Sequence, residues 1–330
     1  MFPSAAPAAR SNVHLTPKPS MTVVCALAEG SYFHGVAALV NSLIRADFRG
    51  EIAVGYRGAK PPWLKALEYS AADDFYRLSE YVRIRFTEVP DTWHLNNCKA
   101  HFIQQQFADT EAEIVYYFDA DIVVTHRWQT FERWAKGGVV LVLDVADSYM
   151  SPYHVYRWGW QELAATLGLS CREFTGYVNG GCLGVSRAHA GFVDVWCKLM
   201  EALEHDGADM TKMKNSTGKP EFSRMDQDVL NATLMATDQP ISLLGPEAMG
   251  AYPWVGAVMP HAMFHKKPWR RNYIIDALRG FPPGRTHLAY WQFVAGPIRP
   301  FGAFELFRKK IQLKIGRLIS LVHSRSYRDI

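Results

Sequence analysis

Two aspartates separated by one residue, Asp119 and Asp121, are the clearest candidates for chemistry in this sequence. They follow a run of β-branched and aromatic residues, 114–118, which predicts a fully buried strand. Ligands of an α/β sheet bind beyond the carboxyl ends of its strands, so we expect this pair at a binding edge. Two adjacent carboxylates are unfavourable unless a positive group neutralises them, and a hard divalent cation is the usual one. The same two residues could instead cap a turn or the next helix.

Strand and helix patterns alternate along the chain before this pair. Apolar, β-rich runs predict strands at 22–28, 51–56 and 82–89. Helical spacing predicts helices at 33–44, at 63–67 after two prolines, and at about 97–107. This alternation predicts an α/β fold with a mostly parallel central sheet flanked by helices.

The pattern after the pair is less regular. We predict strands at 138–145 and 177–186, the second with a bulge or tight bend at Asn179-Gly180-Gly181. Helices are predicted at 193–203 and 226–235, and Ser223 or Asp226 could cap the second one. Residues 147–176 are dense in aromatic side chains, and residues 205–220 are polar and predict a loop.

Composition excludes several classes of protein. Of the 330 residues 48% are hydrophobic and 21% charged, as in ordinary globular proteins, and no apolar run has the roughly 18–20 residues of a membrane-spanning helix. Residues 1–20 lack the apolar core of a signal peptide, so we expect a disordered leader. The five cysteines are scattered without Cys-x-x-Cys spacing, which favours reduced thiols in a cytoplasmic protein over a zinc site.

The positive charge of the chain lies at its carboxyl end. Residues 305–330 hold seven Lys or Arg and two acidic residues, so the net charge of this tail is +5. The whole chain has a net charge of +4, so the net charge of the remaining residues is −1. A nearly neutral body argues against a nucleic-acid groove. The predicted last helix, 304–322, has one apolar stripe, and its basic residues lie outside this stripe. The stripe comprises Phe304, Phe307, Ile311, Ile315, Leu318 and Val322. We therefore divide the chain into a leader (1–20), one domain (21–303) and a basic amphipathic tail (304–330).

Six short blocks occur in the order typical of one enzyme family. They are Glu29-Gly30-Ser31-Tyr32-Phe33-His34-Gly35 with Asn41-Ser42-Leu43, Cys98-Lys99-Ala100, Phe118-Asp119-Ala120-Asp121, Val178-Asn179-Gly180-Gly181, Asp226-Gln227-Asp228-Val229-Leu230-Asn231, and His261 with Lys267-Pro268-Trp269. Through these blocks the chain resembles the glycosyltransferases of family 8, which include glycogenin and bacterial lipopolysaccharide galactosyl- and glucosyltransferases. The resemblance implies that residues 21–303 form a GT-A-type, Rossmann-like nucleotide-sugar-binding domain.

The resemblance implies a metal site made of Asp119, Asp121 and His261. A mixed oxygen and imidazole set suits Mn²⁺, with Mg²⁺ as the other choice. His265 and His287 compete for the histidine position, and the spacing to Lys267-Pro268-Trp269 favours His261. An ion held there would bridge the phosphates of a nucleoside diphosphate and act as a Lewis acid on that leaving group.

The resemblance also implies a site for a UDP-sugar donor. The implied cofactor-binding residues are Ala28, Tyr32, Lys99, Gly180, Gly181 and Lys267. Tyr32 could instead belong to the core, and Lys267 could be a solvated lysine beside Lys266. Glu29-Gly30 stands where the family usually has an Asn-Asp or Asp-Asp pair, so the base contacts are less clearly implied than the metal site.

The implied catalytic residues are Asn179, Asp226 and Gln227, which would line the donor sugar. Asp226 would bind sugar hydroxyls, and Gln227 would lie near the anomeric carbon. Because an amide is a poor nucleophile, we expect no covalent glycosyl-enzyme. We expect a retaining transfer in which the acceptor attacks from the leaving-group face and the departing phosphate acts as the base.

The expected acceptor is a hydroxyl of a glycan or lipid-linked saccharide, of lipopolysaccharide or surface-polysaccharide type, at segments 147–176 and 205–220. The basic tail resembles the extensions of lipopolysaccharide-type members. It predicts a cytoplasmic protein held peripherally on the anionic inner face of a membrane, although the tail could simply pack on the domain. Two other functions fit the acidic pair. One is a haloacid-dehalogenase-like phosphatase with Asp119 as nucleophile, although such enzymes place this strand near the domain start; the other is a non-catalytic sugar-nucleotide-binding protein.

Overall fold

The structure is a computed structural model that describes residues 21–215, 218–252, 256–263 and 266–323. Within these ranges nine strands form one sheet. The strands are β1 (Thr22–Glu29), β2 (Gly50–Arg57), β3 (Glu68–Ser70), β4 (Phe75–Arg77), β5 (Val82–Glu88), β6 (Ile114–Phe118), β7 (Val139–Val142), β8 (Cys182–Ser186) and β9 (Ile241–Leu244). Their order across the sheet is β3-β4-β5-β2-β1-β6-β8-β7-β9.

The middle of the sheet is parallel, as the alternation of strands and helices predicts. Strands β5, β2, β1 and β6 are neighbours that run in one direction. Strand β8 is antiparallel to both β6 and β7, and β9 is parallel to β7. The hairpin of β3 and β4 lies antiparallel beside β5. The carboxyl ends of β1 and β6 therefore meet at one edge of the sheet, which is where an α/β protein binds ligands.

The described residues form nine α-helices, six of which cover the two faces of the sheet. They are α1 (Phe33–Arg45), α2 (Lys99–Asp109), α3 (Trp128–Gly137), α4 (Val155–Thr166), α5 (Gly191–His205), α6 (Met225–Met235), α7 (Tyr273–Leu278), α8 (Arg285–Gln292) and α9 (Ala303–His323). Helices α1 and α3 share one core with the sheet, and α2, α4, α5 and α6 share a second. Helices α7, α8 and α9 form a third, smaller core against α1.

Strand β1 is buried on both faces, which explains its unbroken apolar run. Val23, Cys25 and Leu27 belong to the core with α2, whereas Val24 and Ala26 belong to the core with α1. Every residue of β6 is buried as well. Parallel strands covered by helices on both faces have this composition because no side of the strand meets water.

The predicted strand at 177–186 is wrong in its first half. Only 182–186 forms a strand, β8, and the turn at Gly180 and Gly181 precedes it. Val178 lies in an isolated antiparallel bridge with Leu143 on one side. Its own N–H donates to Asn231 Oδ1 and its carbonyl accepts from Asn231 Nδ2, so the Asn231 amide takes the place of a neighbouring strand on the other side. The helix predicted at 63–67 is a 3-10 helix at Pro62–Ala66.

The predicted N-cap of the helix at 226–235 is wrong. Helix α6 begins at Met225, its N-cap position is Arg224, and no capping side chain is found there among the described residues. Asp228 acts on this end of the helix instead, because its Oδ2 accepts from the Arg224 N–H at 2.7 Å. Asp226 is therefore free to take part in the contacts described below.

The last helix forms as predicted, but it packs through the face opposite its apolar stripe. Lys309 and Leu313 are buried, and a Cβ on Gly316 would lie 2.6 Å from the Tyr273 carbonyl oxygen. Phe304 and Phe307 on the stripe are 79% and 62% exposed. The Val322 side chain and residues 1–20 and 324–330 lie outside the described residues, and the division into three parts stays a prediction. No helix within the described ranges is both long and apolar enough to span a membrane.

Candidate active site

Asp119 and Asp121 lie directly after β6, at the edge where the parallel strands end. The Asp119 N–H donates to the Gly181 carbonyl at 2.8 Å, which fixes the start of this loop. Helix α1 approaches the loop so closely that a Cβ on Gly35 would lie 2.0 Å from the Ala120 oxygen. Glycine is therefore required at position 35 for the loop to lie against α1.

His261 joins the two aspartates although about 140 residues separate them in sequence. Its segment pairs with the loop, since Ile122 and His261 form an antiparallel bridge and the Ala262 N–H donates to the Asp121 carbonyl. His261 Nε2 lies 3.2 Å from Asp121 Oδ1 and 3.7 Å from Asp119 Oδ2. These three residues form a group whose ligand atoms lie within 4.8 Å of one another.

The donor atoms of this group fit a divalent ion. Neighbouring ligands of an octahedral ion with bonds of about 2.1 Å lie roughly 3 Å apart, which is close to the separations of His261 from the two carboxylates. His287 does not join the group. Its ring contacts Arg271 and the Gly284 N–H instead, and burial followed by the Arg271 charge lowers its pKa to about 3. His265 lies outside the described residues.

Gly181 packs against the group from the third side. A Cβ at this position would lie 2.5 Å from His261 Cε1 and 3.0 Å from Asp119 Oδ2. Real Cβ atoms do not approach other atoms so closely, so any side chain there would displace the imidazole or the carboxylate. A glycine at position 181 is therefore needed for His261 and Asp119 to keep their positions.

Lys99, the first residue of α2, is buried between two carboxylates. Its Nζ lies 3.0 Å from Asp119 Oδ1 and 2.7 Å from Asp226 Oδ2, and it donates to the Gly180 carbonyl at 2.9 Å. Burial alone would lower the pKa of Lys99, but the two carboxylates raise it above its ordinary value. The ammonium therefore stays charged, and it connects the acidic pair to α6.

Lys267 contacts the other aspartate of the pair. Its Nζ lies 2.6 Å from Asp121 Oδ2. Burial alone would raise the pKa of Asp121, but the charges and hydrogen bonds of His261 and Lys267 lower it below its ordinary value. The alternative of a solvated lysine applies to its neighbour, because the Lys266 side chain is 60% exposed whereas that of Lys267 is 14% exposed.

A network of amides lies beside Lys99. Asn179 Nδ2 and Gln227 Nε2 both donate to Asp144 Oδ2, at 2.8 and 3.2 Å. Their oxygens accept from backbone N–H groups, Asn179 Oδ1 from Gly181 and Gln227 Oε1 from Gly180. Asp144 is absent from the residues that the sequence predicts for the site. Asp144 lies in the predicted strand at 138–145, just after β7 ends. An aspartate at the carboxyl end of an apolar strand is the sequence feature that could have identified it.

A second buried carboxylate on α6, Asp228, directly follows the predicted residues Asp226 and Gln227. Asp228 Oδ1 accepts from the Tyr177 hydroxyl at 2.6 Å. Burial raises the pKa of Asp228 to about 7, although the hydrogen bonds from Tyr177 and the Arg224 N–H oppose this. This pair connects the start of α6 to the segment before β8 and touches none of the metal-ligand candidates, so we interpret it as structural.

Ala28 and Tyr32 lie at the end of β1 and in the turn after it. Ala28 is buried in the core with α1. The Tyr32 ring is half-buried, packs edge-on against Trp269 at 5.6 Å and lies under the Arg270 guanidinium. Ser31 Oγ accepts from Trp269 Nε1 and Arg270 Nε. Hydrogen bonds and ring contacts therefore connect the turn after β1 to the segment that carries Lys267. Part of the Tyr32 ring surface is buried by this packing.

Solved structures show which proteins share this fold, whereas no protein-family model and no curated protein sequence matches the chain. The apo structure of the bifunctional glycosyltransferase WbbM matches with a TM-score of 0.51 and 14% identity, over 89% of this chain and 52% of that one. The glycosyltransferase GlyE of Streptococcus pneumoniae TIGR4 matches with a TM-score of 0.50 and 14% identity, over 91% and 64%. The galactosyltransferase LgtC, in complex with donor and acceptor sugar analogues, gives 0.46 and 14%, over 83% and 97%.

The chain thus spans about half of WbbM and less than two thirds of GlyE. At 14% identity these two matches establish the fold and nothing further. Membership of family 8 and the roles of the individual site residues stay predictions. The chain has the GT-A-type α/β fold that the sequence predicts, the fold of these glycosyltransferases.

Proposed function

We propose that this protein is a metal-dependent, retaining glycosyltransferase that moves a hexose from a UDP-sugar to a hydroxyl of a glycan or lipid-linked saccharide. One observation carries the proposal. Asp119, Asp121 and His261 converge at the carboxyl end of β6, and two lysines lie against them. Carboxylates and an imidazole suit a divalent ion, and ammonium groups beside them suit the phosphates that such an ion would carry.

Asp119, Asp121 and His261 would hold the ion, which we expect to be Mn²⁺, with Mg²⁺ as the alternative. When bound, the ion would stabilise the negative charge of the departing diphosphate as a Lewis acid. Lys267, beside Asp121 in the described site, would add a point charge on the diphosphate. Ala28 and Tyr32, at the end of β1, would contact the nucleotide.

Lys99, Gly180 and Gly181 would form the wall between the phosphates and the donor sugar, which Asn179, Asp226 and Gln227 would bind. Both ends of the Gln227 amide are hydrogen-bonded, to Asp144 and to the Gly180 N–H, which supports a positioning role over a nucleophilic one. We add Asp144 as a positioning residue, because it accepts from Asn179 and Gln227 together. With no nucleophile proposed, retention follows from attack on the leaving-group face, with the departing phosphate taking the acceptor proton.

The acceptor would bind beside Asp144, on the aromatic segment that follows it. Asp144 Oδ1 accepts from the Ala146 N–H, so this segment starts at the donor site. The side chains of Tyr149, Tyr153 and Trp158 are 72%, 79% and 59% exposed. Tyr153 precedes the N-cap residue of α4 and Trp158 is the fourth residue of that helix, and side chains at these two positions lie on the same side of a helix start. Exposed rings at the edge of a site can stack on the apolar faces of sugars, which supports a saccharide acceptor.

Helix α9 would hold the enzyme on the cytoplasmic face of an anionic membrane. Its packed face is Lys309, Leu313 and Gly316, so the opposite apolar stripe points away from the domain. Exposed basic residues flank that stripe: Arg308, Lys310, Lys314 and Arg317. Each contributes about 1 kcal/mol near an anionic surface, in addition to the apolar side chains.

Sedimentation with lipid vesicles tests the membrane proposal. We expect binding to vesicles of phosphatidylglycerol and phosphatidylcholine that weakens with added salt, and loss of binding in Phe304→Glu/Phe307→Glu. Tyr69→Glu is the control, because Tyr69 is 48% exposed on β3, at the edge strand of the sheet. Equal binding by the double variant and the control would contradict the membrane role of the stripe.

Release of UDP tests the catalytic proposal without knowledge of the acceptor, because water can replace the acceptor slowly. We expect Mn²⁺-dependent hydrolysis of one UDP-hexose, and a fall of at least about 100-fold in Asp121→Asn. Asp109→Asn, an exposed aspartate at the end of α2, should keep full activity. Equal rates in both variants would contradict the metal site, and phosphate release with a covalent adduct on Asp119 would favour a phosphatase.

A further inference from the structure

We propose that helix α9 positions the segment that carries Lys267, and that Lys309 and Gly316 on its packed face are positioning residues of the donor site. The inference rests on the proposed function, because Lys267 is the residue that would bind the diphosphate. It gives the packed face of α9 a role of its own, separate from the membrane role of the opposite apolar stripe. The contacts of α9 with segment 267–273 carry it.

Lys309 makes the first contact, with the backbone of the segment. This residue is 6% exposed, and its Nζ donates to the Arg271 carbonyl at 2.6 Å. Burial lowers the pKa of Lys309, and the carboxylate of Asp276 pairs with Lys266 and Arg271 instead. A buried amine is unfavourable, so an apolar residue would attach α9 to the domain at a lower cost. The lysine therefore serves to fix the Arg271 peptide.

Gly316 makes the second contact, two helical turns after Lys309. A Cβ at this position would lie 2.6 Å from the Tyr273 carbonyl oxygen, so α9 touches the backbone of the segment directly. Tyr273 is fully buried, and its hydroxyl donates to the Pro268 carbonyl at 3.1 Å and accepts from Trp291 Nε1 at 2.8 Å. Pro268 directly follows Lys267. The Tyr273 side chain thus connects the backbone that α9 touches to the peptide beside Lys267.

The other end of this segment is attached to the donor site. Lys267 Nζ lies 2.6 Å from Asp121 Oδ2, and Ser31 Oγ accepts from Trp269 Nε1 at 3.2 Å. Leu313 of α9 and Trp269 belong to the same apolar core. The segment therefore lies between the turn after β1 on one side and α9 on the other. A misplacement of about 1 Å near reacting groups can lower a rate about 100-fold, so a shift of the segment against α9 should be measurable at Lys267.

Calorimetric titration with UDP in saturating MnCl₂, without lipid vesicles, tests the inference. Lys309→Met removes the hydrogen bond to Arg271 but keeps the apolar part of the side chain, and we expect it to weaken UDP binding by roughly fivefold or more. Gly316→Ala should do the same by displacing the Tyr273 backbone, although alanine favours a helix more than glycine does. Gly302→Ala is its matched control, because a Cβ there would have no atom within 4 Å. Lys198→Met, at an exposed lysine of α5, is the control for Lys309→Met.

A double-mutant cycle separates positioning from a general loss of stability. If Lys309 acts through Lys267, then Lys309→Met should weaken UDP binding by less than about twofold in the Lys267→Met background. An equal weakening in both backgrounds would overturn the inference and leave the proposed function in place. Wild-type UDP affinity in folded Lys309→Met and Gly316→Ala would do the same. A wild-type protein that binds no UDP in the presence of MnCl₂ would instead refute the proposed function itself.

Discussion

Replacement of Lys99 by methionine isolates the contact that connects the two halves of the site. Methionine keeps much of the length of the side chain but removes the ammonium that lies between Asp119 and Asp226. Both carboxylates then remain in a partly buried site without their counter-charge, and the Gly180 carbonyl loses a donor. We expect a folded but less stable protein.

The magnitude follows from burial. Removal of one partner from a buried ion pair costs about 3–5 kcal/mol when the other stays unpaired. The Asp119 and Asp226 side chains are 26% and 11% exposed, so water reaches both and we expect about 2–3 kcal/mol. Unfolding entropy of about 2.1 cal/mol/K per residue gives roughly 0.7 kcal/mol/K for this chain, so Tm should fall by about 3–4 °C.

Thermal unfolding at pH 7.5 is the assay. In the Asp226→Asn background the same substitution should cost less, by about 1–3 kcal/mol, because one of the two carboxylates that Lys99 neutralises is then absent. A Tm change below 1 °C, or an equal cost of Lys99→Met in both backgrounds, would refute this reasoning.

Three further substitutions test other parts of the account. Gly181→Ala should displace the His261 imidazole and weaken Mn²⁺ binding with UDP by about tenfold or more, whereas Gly180→Ala, whose Cβ would meet its nearest atom at 3.3 Å, should perturb it less; equal effects would contradict the steric argument. Asp228→Asn should flatten the pH dependence of Tm. Because burial raises the pKa of Asp228 to about 7, the wild type loses stability as pH rises from about 4 through 7, by up to about 4 kcal/mol, and identical profiles from pH 5 to pH 8 would contradict this. Trp158→Ala should raise KM for a saccharide acceptor by roughly 3–10-fold and leave KM for the donor unchanged, with the equally exposed Phe281→Ala as control; an effect on the donor would argue against an acceptor role.

The sequence predicts most of the parallel part of the sheet because burial leaves a clear pattern there. Strands β1 and β6 are covered on both faces, so their unbroken apolar runs reveal both strands. The end of the second run also shows that Asp119 directly follows a strand. The patterns do not reveal strand order, so the antiparallel position of β8 between β6 and β7 comes only from the structure. Several elements also went unpredicted: the short strands β3, β4 and β9, the short helices α7 and α8, and the longer helices α3 and α4.

Only the part of the site that follows a strand could be predicted from local sequence patterns. Asp119 and Asp121 are found from the strand before them, whereas His261 was reached through family resemblance, because its pairing with Ile122 is a tertiary contact that periodicity does not encode. Asp144 was missed since its role depends on two amides that arrive from distant segments. Helical periodicity likewise identified the stripe of α9 but not the face that packs.

Thermal stabilisation by a panel of UDP-, GDP- and ADP-sugars, with and without Mn²⁺, tests the central claim most directly. Ligand at 100 times its Kd adds about 2.7 kcal/mol to the free energy of unfolding, so a true donor should raise Tm by roughly 4 °C. We predict that one UDP-sugar does so only with Mn²⁺ present, and that Asp121→Asn abolishes the shift. No shift with any nucleotide sugar, or an undiminished shift in Asp121→Asn, would contradict the assignment of Asp119, Asp121 and His261 as a metal and nucleotide-sugar site.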